Sequence, residues 1–239
     1  MHFFRHISAI KAITFDLDDT LYNNRPVIKK LDIEFYQWFS HHYPVSRTRD
    51  IHWWLQVKRT LLRDHPELAH DVTLWRYRQI EMGLKLLGYN DQKATIAAEV
   101  AITEVLRLRN QIQISKSTHD VLSKLSNTLP LVAISNGNAD PHKIGLSSYF
   151  QLILRAGPDG RAKPYPDMFD TACHHLGFDA YSILHVGDHG QTDVLGARNY
   201  GMCSCWFNDQ NRNTRTDIKL SVLPDVEISH LRELLTLIH

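Results

Sequence analysis

Apolar and polar positions follow two different rhythms along the chain. Residues 11–17 (KAITFDL) are a short apolar, β-branched run that ends in carboxylates, the pattern of a buried strand. Residues 129–135 (LPLVAIS) have the same character and stop at Ser135-Asn136-Gly137, and residues 182–186 (SILHV) stop at Gly187-Asp188. Residues 202–207 (MCSCWF) predict a fourth strand and residues 152–154 a short one. Between them the spacing turns helical: over 118–125, over 166–176 from Pro166 to just before Gly177, and over 192–200 followed by Gly201. Strands alternating with helices predict an α/β fold, a doubly wound parallel sheet with helices on both faces.

Residues 21–112 break that rhythm. They carry helical periodicity over 27–41, 48–63, 73–87 and 92–108, punctuated by Pro44, Pro66 and Gly88. Trp38, Trp53, Trp54 and Trp75 all fall here, so the stretch has the material for a core of its own. The expectation is a discontinuous core domain, 1–20 and 113–239, interrupted by a helical domain over 21–112. No internal repeat or low-complexity tract is visible.

Composition narrows the class. With 239 residues, 43% apolar and 22% charged, the chain reads as an ordinary globular protein. A formal net charge of +1 gives no global attraction to nucleic acid or to an anionic membrane. No apolar run approaches the ~20 residues that span a bilayer, and residues 1–7 lack the apolar stretch of a secretory signal. Cys173, Cys203 and Cys205 include no Cys-x-x-Cys pair and are odd in number, which fits inert thiols in a reducing cytoplasm. The pairs His41-His42 and His174-His175 lack zinc-ligand spacing and read as surface or packing residues.

Three of the predicted strands end in polar groups of distinct type. In a doubly wound sheet the carboxyl ends of strands share one edge, so Asp16, Asp18, Ser135, Asn136 and Asp188 are expected to converge there. In continuing strand geometry Asp18, two residues on, faces the same side as Asp16.

Four motifs in order resemble the haloacid dehalogenase-like phosphohydrolase superfamily: Asp16-Leu17-Asp18-Asp19-Thr20, Ser135-Asn136-Gly137, Lys163-Pro164, and Gly187-Asp188 with Asp193 following. The helical stretch sits where that family places its cap. The resemblance implies a Rossmann-like core, a phosphate monoester of a small molecule as substrate, Asp16 as nucleophile forming an aspartyl-phosphate, and Asp18 as general acid and then base. It implies Mg²⁺ held by Asp16, the backbone carbonyl of Asp18, and Asp188, with Asp193 in an outer, water-mediated role. Ser135, the backbone amides of Asn136 and Gly137, and Lys163 are implied to bind phosphoryl oxygens. Residues 15–26, 71–81 and 154–164 are similar to a bacterial subgroup acting on flavin mononucleotide and on 5-amino-6-(5-phosphoribitylamino)uracil, a riboflavin precursor. His189 and Gly190 depart from the expected fourth motif.

Plainer readings stand beside these. Asp18-Asp19-Thr20 and Ser135-Asn136-Gly137 have turn composition, Lys163 alone is an ordinary solvated lysine, and Asp193 can cap the helix that contains Gly196. Arg25, Arg76 and Arg78 are candidate specificity residues; Arg76 and Arg78 are two apart on one helix and so do not share a face. Trp75 and Tyr77 read as helix packing in preference to substrate stacking. The alternatives in function are a sugar-phosphate, phosphoglycolate or nucleotide phosphatase, a haloacid dehalogenase, a phosphomutase, and a catalytically silent phosphometabolite binder. The sequence leaves the oligomeric state open.

Overall fold

The computed structural model describes residues 1–7, 9–213 and 220–237. Among them β1 (His2–Phe3), β2 (Ala12–Phe15), β3 (Leu131–Ser135), β4 (Leu152–Arg155), β5 (Ile183–Gly187), β6 (Cys203–Phe207) and β7 (Val226–Ile228) form one sheet. The order is β1-β7-β6-β5-β2-β3-β4, and only the β1–β7 pair is antiparallel. β2, β3 and β5 are buried along their whole length, which explains their nearly unbroken apolar sequences. The α/β expectation holds. The edge strand β1 and its neighbour β7 have no counterpart in the sequence pattern, because two or three residues are too few for a period to show.

The chain divides into two compact units, Met1–Asn23 with Gln113–His239, and Asn24–Ile112. The first break falls after Asn23 and not after Thr20. Leu21 is buried, and its carbonyl accepts a hydrogen bond of 3.1 Å from the Thr118 hydroxyl, which ties this segment to the sheet-bearing unit.

The unit Asn24–Ile112 holds α1 (Arg25–His42), α2 (Ile51–Asp64), α3 (Val72–Leu86) and α4 (Asp91–Arg109). Side chains set three of the helix starts: Asp50 accepts from the Trp53 amide, Asp71 from those of Thr73 and Leu74, and Asn90 from that of Lys93. Phe35, Phe39, Trp54, Ile80 and Leu84 pack against a column of small residues on α4, Ala94, Ala97, Ala98 and Ala101, spaced for one helical face. Trp75 donates its indole N–H to the Lys58 carbonyl at 3.1 Å and joins a second cluster with Val57, Leu61 and Leu68, a packing role.

In the sheet-bearing unit, α5 (Lys116–Ser126), α6 (Asp167–Leu176) and α7 (Gly196–Tyr200) connect the strands. From β2 the chain proceeds to β3 and β4 on one side, then returns to β5, β6 and β7 on the other. The direction of winding therefore reverses between β2 and β5, where the carboxyl ends of strands open a crevice. Residues 192–200 are not one helix: a π-helical turn over Gly190–Leu195 leads into α7.

Candidate active site

Register brings the strand ends together. Phe15 lies opposite Ala133 of β3 and Val186 of β5, and the Asp16 amide donates to the Val186 carbonyl at 2.9 Å. Asp16, Ser135 and Asp188 thus leave the sheet at one edge. β2 ends at Phe15, however, and Asp18 is not on a continuing strand. The chain turns instead: the amides of Thr20 and Leu21 donate to the Leu17 carbonyl, and Asp19 takes φ 57, a conformation Asp tolerates better than most residues. That turn, not strand alternation, delivers the Asp18 carboxylate.

Asp18 is held from two sides. The Tyr22 hydroxyl donates to its Oδ1 at 2.5 Å. Its Oδ2 lies where a side chain at residue 137 would begin, 2.1 Å from an ideal Cβ there, so only glycine admits this approach. The Gly137 amide donates to Ser135 Oγ at 3.0 Å. The Asn136 side chain faces away from a ligand role: its Nδ2 donates to the Lys163 carbonyl at 2.9 Å and its Oδ1 accepts from the Lys163 amide at 2.7 Å. It clamps the backbone that carries Lys163, before the cis Lys163–Pro164 peptide.

Lys163 is only 2% exposed, the opposite of a solvated lysine. Its Nζ donates to Asp16 Oδ1 at 2.7 Å and to the Ile134 carbonyl at 2.7 Å, and lies 2.6 Å from Asp193 Oδ1. Burial opposes its charge, but the two carboxylates outweigh that and raise its pKa above the ordinary lysine value. Asp193 does not cap a helix. His189 fills that place, its Nδ1 accepting from the Gln191 and Thr192 amides at 3.3 Å. The wide π turn leaves Asp193 directed inward, where Oδ2 accepts from the His189 amide at 3.0 Å and Oδ1 meets His185 Nε2 at 3.2 Å. Gly187 permits this, since a Cβ there would lie 2.3 Å from Asp193 Cγ.

The charges are unevenly balanced. Burial pushes Asp193 up, but Lys163 and the His185 hydrogen bond outweigh it and hold the carboxyl well below its usual range. Burial pushes Asp16 up, Lys163 pulls it back, and Asp193 and Asp18 push again, leaving it well above an ordinary aspartate. Burial, Asp193 and Asp19 raise Asp188 to about 7 against the pull of Arg212 and Lys163. Burial holds His185 down at about 4, so the ring is neutral at neutral pH. Negative charge is therefore in excess. Asp16, Asp188 and Asp193 each offer a carboxylate oxygen within 4.8 Å of the others, a set of hard donors that fits a hard divalent cation.

A model of the haloacid dehalogenase-like hydrolases matches residues 10–201. The chain belongs to this family. It is 40% identical over 238 residues to the 5-amino-6-(5-phospho-D-ribitylamino)uracil phosphatase YigB of Escherichia coli (strain K12), covering 100% of both chains. It is 24% identical over 237 residues to the N-acylneuraminate-9-phosphatase of Mus musculus, covering 95% of this chain and 93% of that one. Among solved structures, a 2-haloacid dehalogenase from Pseudomonas syringae pv. Tomato DC3000 matches with a TM-score of 0.89 at 33% identity, over 95% of this chain and 97% of the other. Hydrolases of this family generally use a metal ion, and the carboxylate cluster suits one.

In this haloacid dehalogenase-like hydrolase the candidate specificity arginines belong to the helical unit. Arg25 opens α1. Arg76 lies 3.5 Å from Asp32, and Arg78 lies 3.0 Å from Glu81 on its own helix, so the two do point to different partners. Sequence reasoning missed Tyr22, His185 and Arg212 around the site. Arg212 donates to the Asp188 carbonyl at 2.8 Å and sits 4.9 Å from the Trp206 ring centroid. A histidine inside the apolar run SILHV was a readable signal, since a buried ring needs partners for both nitrogens. No described helix is long and apolar enough to cross a membrane.

Proposed function

We propose that this chain is a Mg²⁺-dependent phosphatase that cleaves a primary phosphate ester at the end of a ribityl chain, as in 5-amino-6-(5-phosphoribitylamino)uracil or flavin mononucleotide. The observation that carries it is the second carboxylate: Asp18, half-buried and oriented by Tyr22 and Gly137, is near enough to the buried Asp16 for its charge to push the Asp16 carboxyl up. Displacing an alkoxide from phosphorus needs a proton donor; displacing a halide from carbon does not. That argument separates the chain from the dehalogenase whose fold it shares. The relative YigB, a phosphatase of a ribitylamino-uracil phosphate, supports the substrate class.

In the first step an Asp16 oxygen attacks phosphorus, the bond to the ester oxygen breaks, and Asp18 gives that oxygen its proton. Lys163 occupies Asp16 Oδ1, which leaves Oδ2, with the Thr20 hydroxyl at 3.5 Å, as the attacking atom. In the second step Asp18 takes a proton from water, whose oxygen attacks the phosphorus of the aspartyl-phosphate and frees Asp16. Ser135 and Lys163, both buried beside the strand ends, would offer a hydroxyl and a cation to phosphoryl oxygens. A Mg²⁺ held by Asp16 and Asp188, with Asp193 contributing charge, would offset the repulsion between carboxylate and phosphate. The Asn24–Ile112 unit is read as the cap, and Arg25, Arg76 and Arg78 as its candidate specificity residues.

The test is phosphate release by purified protein from a panel: both ribityl phosphates, sugar phosphates, phosphoglycolate and nucleotides, with Mg²⁺ and then with a chelator. The expected result is kcat/KM higher on the ribityl phosphates by about tenfold or more, and loss of all turnover on chelation. Equal rates across the panel would remove the substrate assignment. Halide release from 2-chloropropionate without phosphate release would favour the dehalogenase reading, and silence on every substrate would favour a binding protein.

The role of Asp18 has its own test. Asp18→Asn should lower kcat by about 10²–10⁴-fold. In single-turnover measurements the first step should suffer least with a nitrophenyl ester, whose phenolate departs without a proton. An equal loss on nitrophenyl and alkyl esters would contradict the acid role.

A further inference from the structure

Two polar side chains lie inside the apolar sheet and take no part in the reaction above. Thr14 is 0% and His185 1% exposed, and they are cross-strand partners in the β2–β5 pair. Thr14 Oγ1 is 2.8 Å from His185 Nδ1, and His185 Nε2 is 3.2 Å from Asp193 Oδ1. The Phe169 ring stands edge-on to the imidazole, with centroids 5.1 Å apart and planes at 89°, and closes its remaining side.

We infer that His185 is a positioning residue for the metal cradle: its Nε2–H fixes the Asp193 carboxylate, and the Thr14 hydroxyl on Nδ1 selects the tautomer that can do so. The inference rests on the reading of Asp193 as part of that cradle. An ionised carboxylate only accepts, so Nε2 must carry the hydrogen. Nδ1 then accepts, and the Thr14 hydroxyl supplies the donor. The direction of both bonds follows from the acceptor at one end.

The consequence reaches the nucleophile. Asp193 Oδ1 takes both His185 and Lys163, and Lys163 takes Asp16 Oδ1. Asp16 directly follows the strand that carries Thr14, two residues on, so the path from Thr14 through His185, Asp193 and Lys163 returns to the chain beside its origin. Asp193 cannot rotate without losing His185, Lys163 or the His189 amide. Its carboxylate is therefore held in one orientation before a cation arrives.

Calorimetric titration of the full-length protein with MgCl₂ tests this in the unmodified chain, His185→Gln, His185→Asn and Thr14→Val. Glutamine places its amide nitrogen near the position of Nε2 and keeps the donor to Asp193; asparagine places its amide near Nδ1 and loses it. His185→Asn should bind Mg²⁺ about 10–100-fold more weakly, Thr14→Val more weakly than the unmodified chain, and His185→Gln within about threefold of it. A merely space-filling histidine would lower melting temperature in the asparagine variant and leave Mg²⁺ affinity alone, and that result overturns the inference. Absence of Mg²⁺ binding by the unmodified chain is a different failure: it removes the metal reading itself, and this inference with it. Nitrogen-15 spectra of the unmodified protein give a check that does not depend on any variant folding. His185 should show a protonated Nε2 and an accepting Nδ1; a protonated Nδ1 overturns the inference.

Discussion

Asp16→Asn is expected to abolish turnover, lowering kcat by about 10⁴-fold or more, in a protein that melts at or above the temperature of the unmodified chain in metal-free buffer. The activity loss follows from removing the attacking oxygen. The stability effect follows from the surroundings. Asp16 is buried beside Asp193 and Asp18, and its pKa stands well above the ordinary carboxyl value despite Lys163. A carboxyl whose folded pKa is raised costs stability once ionised: the cost is absent below its unfolded pKa and grows as pH rises toward the folded one. Asparagine removes that cost, and Lys163 keeps Asp193 as its partner at 2.6 Å. The advantage should therefore be present at neutral pH and vanish in acid. Phosphate release and thermal melts at two pH values measure both halves. Retained turnover would remove Asp16 as nucleophile, and a strongly lowered melting temperature would mean that its charge supports the fold.

Lys163→Met should do the reverse, damaging fold and activity together. Methionine matches the length of the lysine stem but leaves Asp16 and Asp193 buried without the cation that joins them. Breaking a buried pair by removing one partner costs about 3–5 kcal/mol. For a chain of this size that corresponds to about 6–20 °C in melting temperature. The folded pKa of Lys163 is raised, so its contribution is complete below the unfolded lysine pKa and is lost only as pH rises through the folded value. The full deficit therefore appears at neutral pH, and it should shrink in acid as Asp16 takes up a proton. Turnover should fall by about 10²-fold or more, because the proposed mechanism loses the cation that holds Asp16 and offsets charge at the phosphoryl group. Melts across pH beside a kcat measurement decide it; an unchanged melting temperature would mean that solvent or another group already screens the two aspartates.

These variants probe groups that differ in how visible they were in the sequence. Asp16 and Asp188 were legible because each follows an apolar strand, and parallel strands deliver their carboxyl ends to one edge. The four helices of Asn24–Ile112 were legible because each is long enough to show its period, with ends within a few residues of the expected ones. Lys163 was the least informative motif by itself. Its burial comes from contacts with residues far away in the chain, and no local pattern encodes them. Strand alternation predicts Asp18 on the same side as Asp16, but β2 ends at Phe15 and a turn with Asp19 at φ 57 places that carboxylate instead.

By itself the sequence determined the layered α/β architecture, the inserted helical stretch and the placement of polar residues after the strands, because hydrophobic period and turn chemistry are local properties of the chain. Only the tertiary structure decided which polar atoms meet. It gave the Asn136 side chain to the backbone of Lys163, gave the helix cap to His189 and turned Asp193 inward, and joined Thr14 to His185 across two strands. Such pairings depend on register and on the wide turn over Gly190–Leu195, and on which buried group remains without a partner once the strands have paired.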